Sequence, residues 1–140
     1  MKLKIKKLHP DAKIPSYANV GDAGLDLYSV EDLVLRSNHR VLVKTGISIE
    51  LQKGNVFLIW DKSGVASKGI KTMGGVVDST YRGEIKVVLI NLSSEKYEIK
   101  KGQKIAQALV QKVETPKIEI VEKLGETERG EGAFGSSGLY

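Results

Sequence analysis

The stretch whose reading decides the fold is GGVVDSTYRGEIKVVLIN, residues 74–91. It closes on an apolar run, Ile85 to Asn91, of the kind expected for a strand buried on both faces, and NVFLIW at 55–60 reads the same way. Before that run, Asp78-Ser79-Thr80 is ordinary turn chemistry, and Tyr81-Arg82-Gly83 is a further turn signal. Working outward, Val41 to Leu51 carries Val41 and Val43, a Thr45-Gly46 punctuation, then Ile47, Ile49 and Leu51 in strict period two. Lys2 to Leu8 begins by alternating, with Leu3 and Ile5 on one face. Ile105 to Val113 and Ile118 to Val121 read as further strands, although the last also fits a helical turn. Gly, at 15 of 140 residues, falls between these runs. Many short strands with closely spaced turns predict an all-β sandwich or barrel. Helical signals are sparse, and the best is Ser63 to Lys68, where Ser63 is expected to cap one or two turns that Gly69 stops.

At 140 residues the chain is expected to form one domain. Apolar residues make up 41% and charged residues 28%, the balance of a soluble globular protein, and no run approaches the roughly 18 apolar residues of a membrane span. The basic start, MKLKIKKLHP, has no apolar region behind it, so no secretory signal is expected and the cytoplasm is the default compartment. Cys is absent, which removes disulfides, Cys-ligated metal sites and cysteine nucleophiles. His9 and His39 stand at no metal or triad spacing. The net charge of +5 is unevenly placed: residues 1–13 hold five Lys against one Asp, and residues 114–131 hold six Glu against three Lys or Arg. With an aromatic content of 6%, that distribution argues against stable nucleic-acid binding.

Chemistry must then run on carboxylates, hydroxyls, amides, Lys and Arg. Asp78, at a strand end, can activate water beside a polarised electrophile, or simply form a turn. Asp22 and Asp26, four apart around Gly24, share a face of an extended segment and can approach one hydrated divalent cation. DKSGVASKG at 61–69 offers backbone N–H groups, the Ser63 hydroxyl and the Lys62 and Lys68 ammoniums to an anion, without Walker A spacing. Gln107 is an amide on an otherwise apolar strand and needs partners, structural or ligand. Gly125 to Tyr140, with five Gly, cannot build a core, yet it contains a guanidinium, hydroxyls and one aromatic plate, the makings of a phosphate-and-base clamp.

Taken in order, five segments resemble the five motifs of the trimeric deoxyuridine triphosphate nucleotidohydrolases (dUTPases). They are DAGLDLYS at 22–29, DKSGVASKGI at 61–70, GGVVDSTYRGEIKV at 74–87, KGQKIAQALV at 101–110 and RGEGAFGSSG at 129–138. The resemblance implies a distorted, jelly-roll-like β-barrel of the β-clip type with at most one short helix. It also implies a homotrimer with sites shared at subunit interfaces, and Mg²⁺ as cofactor. Residues 125–140 would be a flexible arm closing over a neighbouring subunit's site. The implied activity is hydrolysis of dUTP to dUMP and pyrophosphate, which limits uracil in DNA and supplies dUMP for dTMP synthesis.

By the same resemblance, Asp78 orients and activates the attacking water. Tyr81 packs under the deoxyribose and excludes a 2′-hydroxyl. Lys62, Ser63, Gly64 and Gln107 contact the phosphates, and Asp26 reaches Mg²⁺ through water. A tight backbone hairpin around Thr72, Gly75 and Val77 selects uracil. Arg129, Phe134, Gly135, Ser136 and Ser137 belong to the arm, Phe134 over the uracil and Arg129 with the hydroxyls on the γ-phosphate. The chain departs from the family pattern at Lys62, usually Arg, at Thr80, often Asp, at Ala133, a Gly of the arm, and at Ser137, commonly Thr. A lysine there turns a bidentate phosphate contact into a point charge.

Two other functions use the same residues. A dCTP deaminase of the same fold requires a catalytic Glu where this chain has Val88, and a Ser-Ser-x-x-Arg pattern that Ser63, Gly64 and Ser67 do not provide. A non-catalytic, nucleotide-binding regulatory β module would keep the site without turnover, and the carboxylate at Asp78 argues against it.

Overall fold

The computed structural model describes residues 1–133, 136 and 138. Ten strands and one helical turn follow in the order β1 (Lys4–Lys7), β2 (Leu25–Tyr28), β3 (Leu33–Leu35), β4 (Arg40–Glu50), β5 (Asn55–Trp60), α1 (Ser63–Ala66), β6 (Ile70–Met73), β7 (Val76–Asp78), β8 (Glu84–Asn91), β9 (Tyr97–Ile99) and β10 (Lys104–Lys112). One sheet runs β1-β4-β8-β6 and a second β2-β10-β5-β7, with β3 and β9 as a separate pair. All the pairings between these strands are antiparallel. Both four-stranded sheets contribute to one apolar cluster that includes Leu27, Val43, Ile47, Phe57, Ile70, Ile85, Leu89 and Ile105. The sheets do not close into a ring, so the barrel is open as well as distorted. Among the described residues no helix is long and apolar enough to cross a membrane.

Local physics accounts for the main elements and for four departures from the expectations above. First, β5 is buried almost throughout, but β8 alternates, with Ile85, Val87, Leu89 and Asn91 inward and Lys86 exposed. Its sheet has only one core face, so the apolar Val88 and Ile90 stand half-buried on the other. Second, the Thr45-Gly46 punctuation does not end a strand. β4 runs through it with a register shift between Lys44 and Ser48, Gly46 takes φ +69°, and its N–H donates to Glu84 Oε1 at 3.0 Å. This is a bulge, and glycine supplies the left-handed backbone that it needs. The Thr45 hydroxyl, fully buried there, donates to the Ile85 carbonyl.

Third, Lys62 and not Ser63 is the N-cap of α1: its carbonyl accepts from Val65 N at 2.9 Å and from Ala66 N at 2.8 Å. Ser63 is thereby the first helical residue, exposed, with a hydroxyl that makes no hydrogen bond among the described residues. Fourth, residues 118–121 form neither strand nor helical turn; Ile118 is 95% and Ile120 96% exposed. An alternating segment is a strand only when another edge pairs with it, and none does here.

Candidate functional site

The corner between β6 and β7 is where the expected base-binding hairpin lies, but its two arms do not pair with each other. β6 pairs with β8 in one sheet and β7 with β5 in the other, each as an edge strand. The chain crosses between sheets through Gly74 (φ +73°) and Gly75 (φ +125°). A side chain at Gly75 would collide with the Ile59 carbonyl, 2.5 Å from a Cβ built there, so glycine is required twice over, by angle and by space. The Gly75 carbonyl accepts from Ile59 N at 2.8 Å and ties the corner to the end of β5. The result is a cleft of about 510 Å³ whose lining includes Thr72, Gly75, Val77, Asp78 and Tyr81. That volume suits a small organic ligand. Two sheet edges meet here at an angle without pairing to each other; Thr72 N is taken up by Asp61 and the Gly75 carbonyl by Ile59 N, and the edge groups that remain are open to a flat heterocycle.

Asp78 ends β7 with its side chain exposed, and its carbonyl accepts from Tyr81 N at 3.0 Å in the turn that follows. Both Asp78 and Tyr81 line the cleft. The ring is 46% exposed and the phenol donates to the Glu84 carbonyl at 3.1 Å. It lies over Gly83, where any Cβ would overlap the ring and its hydroxyl. Gly83 is therefore what lets Tyr81 lie flat.

A second cluster forms around Asp26 on β2. This carboxylate is 2% exposed and is gripped by two ammoniums, Lys62 Nζ at 2.7 Å from Oδ1 and Lys104 Nζ at 2.6 Å from Oδ2. Burial works to raise its pKa, but the hydrogen bonds and charges of Lys104 and Lys62 outweigh it and hold the carboxyl below the ordinary value. Gln107 lies directly across from Asp26 on β10, and its Nε2 donates to the Asp61 carbonyl at 2.9 Å. Its Oε1 packs where a side chain on residue 24 would be, so Gly24 makes room for the amide. Ser63 and Gly64, both exposed, stand one and two residues after Lys62.

Several expected associations do not occur. Asp22 accepts from Asn19 N at 2.9 Å within its own exposed turn and does not join Asp26. In the tail, whose expected site is on a neighbouring subunit, Arg129 Nε donates to the Gly132 carbonyl at 2.8 Å and Ser136 N to the Ala133 carbonyl at 2.8 Å. Phe134, Gly135 and Ser137 lie outside the described residues. Above all, the cleft at Asp78 and the cluster at Asp26 sit at opposite edges of the sheet β2-β10-β5-β7. Asp78 is opposite Val56, Val56 is opposite Gln111, and Asp26 is opposite Gln107. Strand spacing and rise place the two carboxylate residues roughly 15–20 Å apart.

Sequence reasoning missed Asp61, Lys104, Gly24 and Gly83. Only Asp61 carried a signal, as an acidic residue next to a lysine expected to bind phosphate.

Among the described residues no three His, Cys, Asp or Glu side chains gather as a metal cage. Asp26, the one buried carboxylate of the cluster, has both oxygens occupied by lysine ammoniums.

Comparison with known proteins gives one family. The model of the dUTPase family matches residues 10–138. A deoxyuridine 5′-triphosphate nucleotidohydrolase of Nautilia profundicola is 49% identical over 99% of both chains, and one of Clostridium kluyveri is 45% identical with the same coverage. Among solved structures, a variant of the Staphylococcus bacteriophage 80alpha dUTPase with dUpNHpp superposes with a TM-score of 0.93 at 29% identity, covering 99% of each chain.

Proposed function

The chain belongs to the dUTPase family, and from that membership we infer that it hydrolyses dUTP to dUMP and pyrophosphate by attack of water on the α-phosphorus. The observation that carries this reading is the open corner between β6 and β7, where free backbone edges, an exposed carboxylate and an aromatic ring border one cleft. Uracil offers an acceptor, a donor and an acceptor along one edge. Backbone groups complementary to that pattern are left unpaired by cytosine, which costs orders of magnitude in selectivity. Thr72, Gly75 and Val77 supply that edge, and Tyr81 beneath the sugar leaves no room for a 2′-hydroxyl.

Asp78 takes a proton from the attacking water as the α-phosphorus is approached in line with the departing pyrophosphate. The phosphates lie against Lys62, Ser63, Gly64 and Gln107. Mg²⁺ would be held here mainly by the substrate's own phosphate oxygens, with Asp26 as the carboxylate that would meet its water shell, and would supply positive charge against the departing pyrophosphate. Lys62 then shares its charge between Asp26 and the phosphates.

Asp78 and Asp26 are too far apart within one chain to serve one α-phosphorus. That separation supports a homotrimer in which Asp78 and Tyr81 of one subunit face the phosphate cluster of another. The arm, residues 125–140, closes from a neighbour with Arg129, Phe134, Gly135, Ser136 and Ser137. We place the enzyme in the cytoplasm with the nucleotide pool it acts on.

Pyrophosphate release measured across dUTP, dTTP, dCTP and UTP tests the reading. Turnover of dUTP well above the others supports it. Equal turnover of UTP contradicts the role of Tyr81, ammonia from dCTP means a deaminase, and tight binding without turnover means a regulatory module.

A further inference from the structure

Asp61 follows β5 directly and takes no part in the chemistry above, yet its side chain ties down the start of the β6–β7 corner. Its Oδ1 accepts from both Thr72 N and Thr72 Oγ1, each at 2.6 Å, and its Oδ2 from Lys71 Nζ at 2.6 Å. Its carbonyl receives the Gln107 amide. Thr72 N–H lies on the edge of β6 that faces away from β8, where an ordinary sheet would continue with another strand. The Asp61 carboxylate stands in for that strand. Two residues earlier, Ile59 N holds the Gly75 carbonyl. The end of β5 therefore grips the β6–β7 corner at two points, Gly75 through Ile59 and Thr72 through Asp61, and Thr72 and Gly75 both line the cleft.

We propose that Asp61 is a positioning residue for base selection: its carboxylate fixes the free edge of β6 at the spacing that the pyrimidine needs. The idea rests on the cleft's being the base site, as inferred above. Lys71 is the charged group in contact with Asp61. The hydrogen bonds and charge from Lys71 and Thr72 overcome the opposing effect of burial and keep the carboxyl ionised below its ordinary range. At working pH the strut is thus a full anion, and bonds from an amide or hydroxyl to an anion are the stronger kind.

The experiment has two arms. In the ligand-free protein, amide resonances are followed from pH 7 downward. The Thr72 amide is expected to shift with a midpoint below about 3.9, the ordinary Asp value, and the shift should vanish in Asp61→Asn. A Thr72 amide that behaves identically in both proteins would overturn the proposal. In the second arm, steady-state rates are compared for wild type, Asp61→Asn, Asp61→Ala and Lys71→Met. Asp61→Ala should raise KM for dUTP about tenfold or more and lower dUTP-over-dCTP selectivity by a similar factor, with kcat changed less than KM. Asp61→Asn, which keeps an acceptor, should fall between, and Lys71→Met should retain selectivity. Lost kcat with intact selectivity, or a Lys71→Met effect as large as that of Asp61→Ala, would overturn it. Wild-type protein without dUTP turnover would instead overturn the activity inferred above, and the resonance arm would still judge the strut.

Discussion

Asp26 and Asp78 occupy opposite edges of a single four-stranded sheet, three strands apart and four residues out of register. A triphosphate in contact with one of them in a given chain is out of reach of the other. On the proposed reading the two carboxylates act together across a subunit boundary, and this is testable without a structure of the assembly. Asp26→Asn and Asp78→Asn chains, each of low activity alone, should regain dUTP hydrolysis when co-expressed and assembled together. Mixed assemblies as inactive as either parent would mean that one chain supplies both groups.

If Tyr81 packs under the sugar as proposed, Gly83 bears on specificity through its lack of a side chain. Gly83→Ala forces the Tyr81 ring off its seat and should narrow the preference for dUTP over UTP about tenfold while leaving the core intact. The ratio of kcat/KM values for the two nucleotides measures it.

The Asp26 cluster also contributes to the response to acid. Its carboxyl is held below its ordinary pKa in the folded chain. The stability that it contributes is therefore present above the unfolded value of about 3.9 and is lost as pH falls through the folded one. Asp26→Asn should destabilise the protein at pH 7 by about 1–3 kcal/mol and flatten the fall in stability below about pH 4. Thermal or urea unfolding between pH 7 and 3 gives both curves.

The tail makes the opposite prediction, for function without stability. Residues 114–133 are exposed throughout and add nothing to the apolar cluster. Truncation after Glu128 should leave the unfolding temperature nearly unchanged and cut dUTP turnover by about 10²-fold, the cost of losing a closing clamp. A truncated chain at full rate would remove the arm from the site.

Much of this was legible in the sequence where the signal is local. β4, β5, β8 and β10 are long runs of Val, Ile and Leu, and they appear where those runs predict them. β3 and β9 were not readable, because three residues such as Leu33–Leu35 become a strand only through their partner, Tyr97–Ile99. The five motifs identified the chemistry, and the structure brings Thr72, Gly75, Val77, Asp78 and Tyr81 to one cleft. What motifs do not encode is separation. That Asp26 and Asp78 belong to different edges follows from strand order, a long-range property. Asp61 was passed over for the same reason: its partner Thr72 is reached only after the chain has turned through α1 and entered β6.

The most direct test of the account is the single-turnover and steady-state hydrolysis of dUTP by Asp78→Asn, alongside its binding of a non-hydrolysable dUTP analogue. The side chain is exposed, so the substitution should preserve assembly and nucleotide affinity. Turnover should fall by about 10²–10⁴-fold, as expected when a general base is removed. Near-normal hydrolysis by that variant would contradict the assignment of Asp78 as the group that activates water.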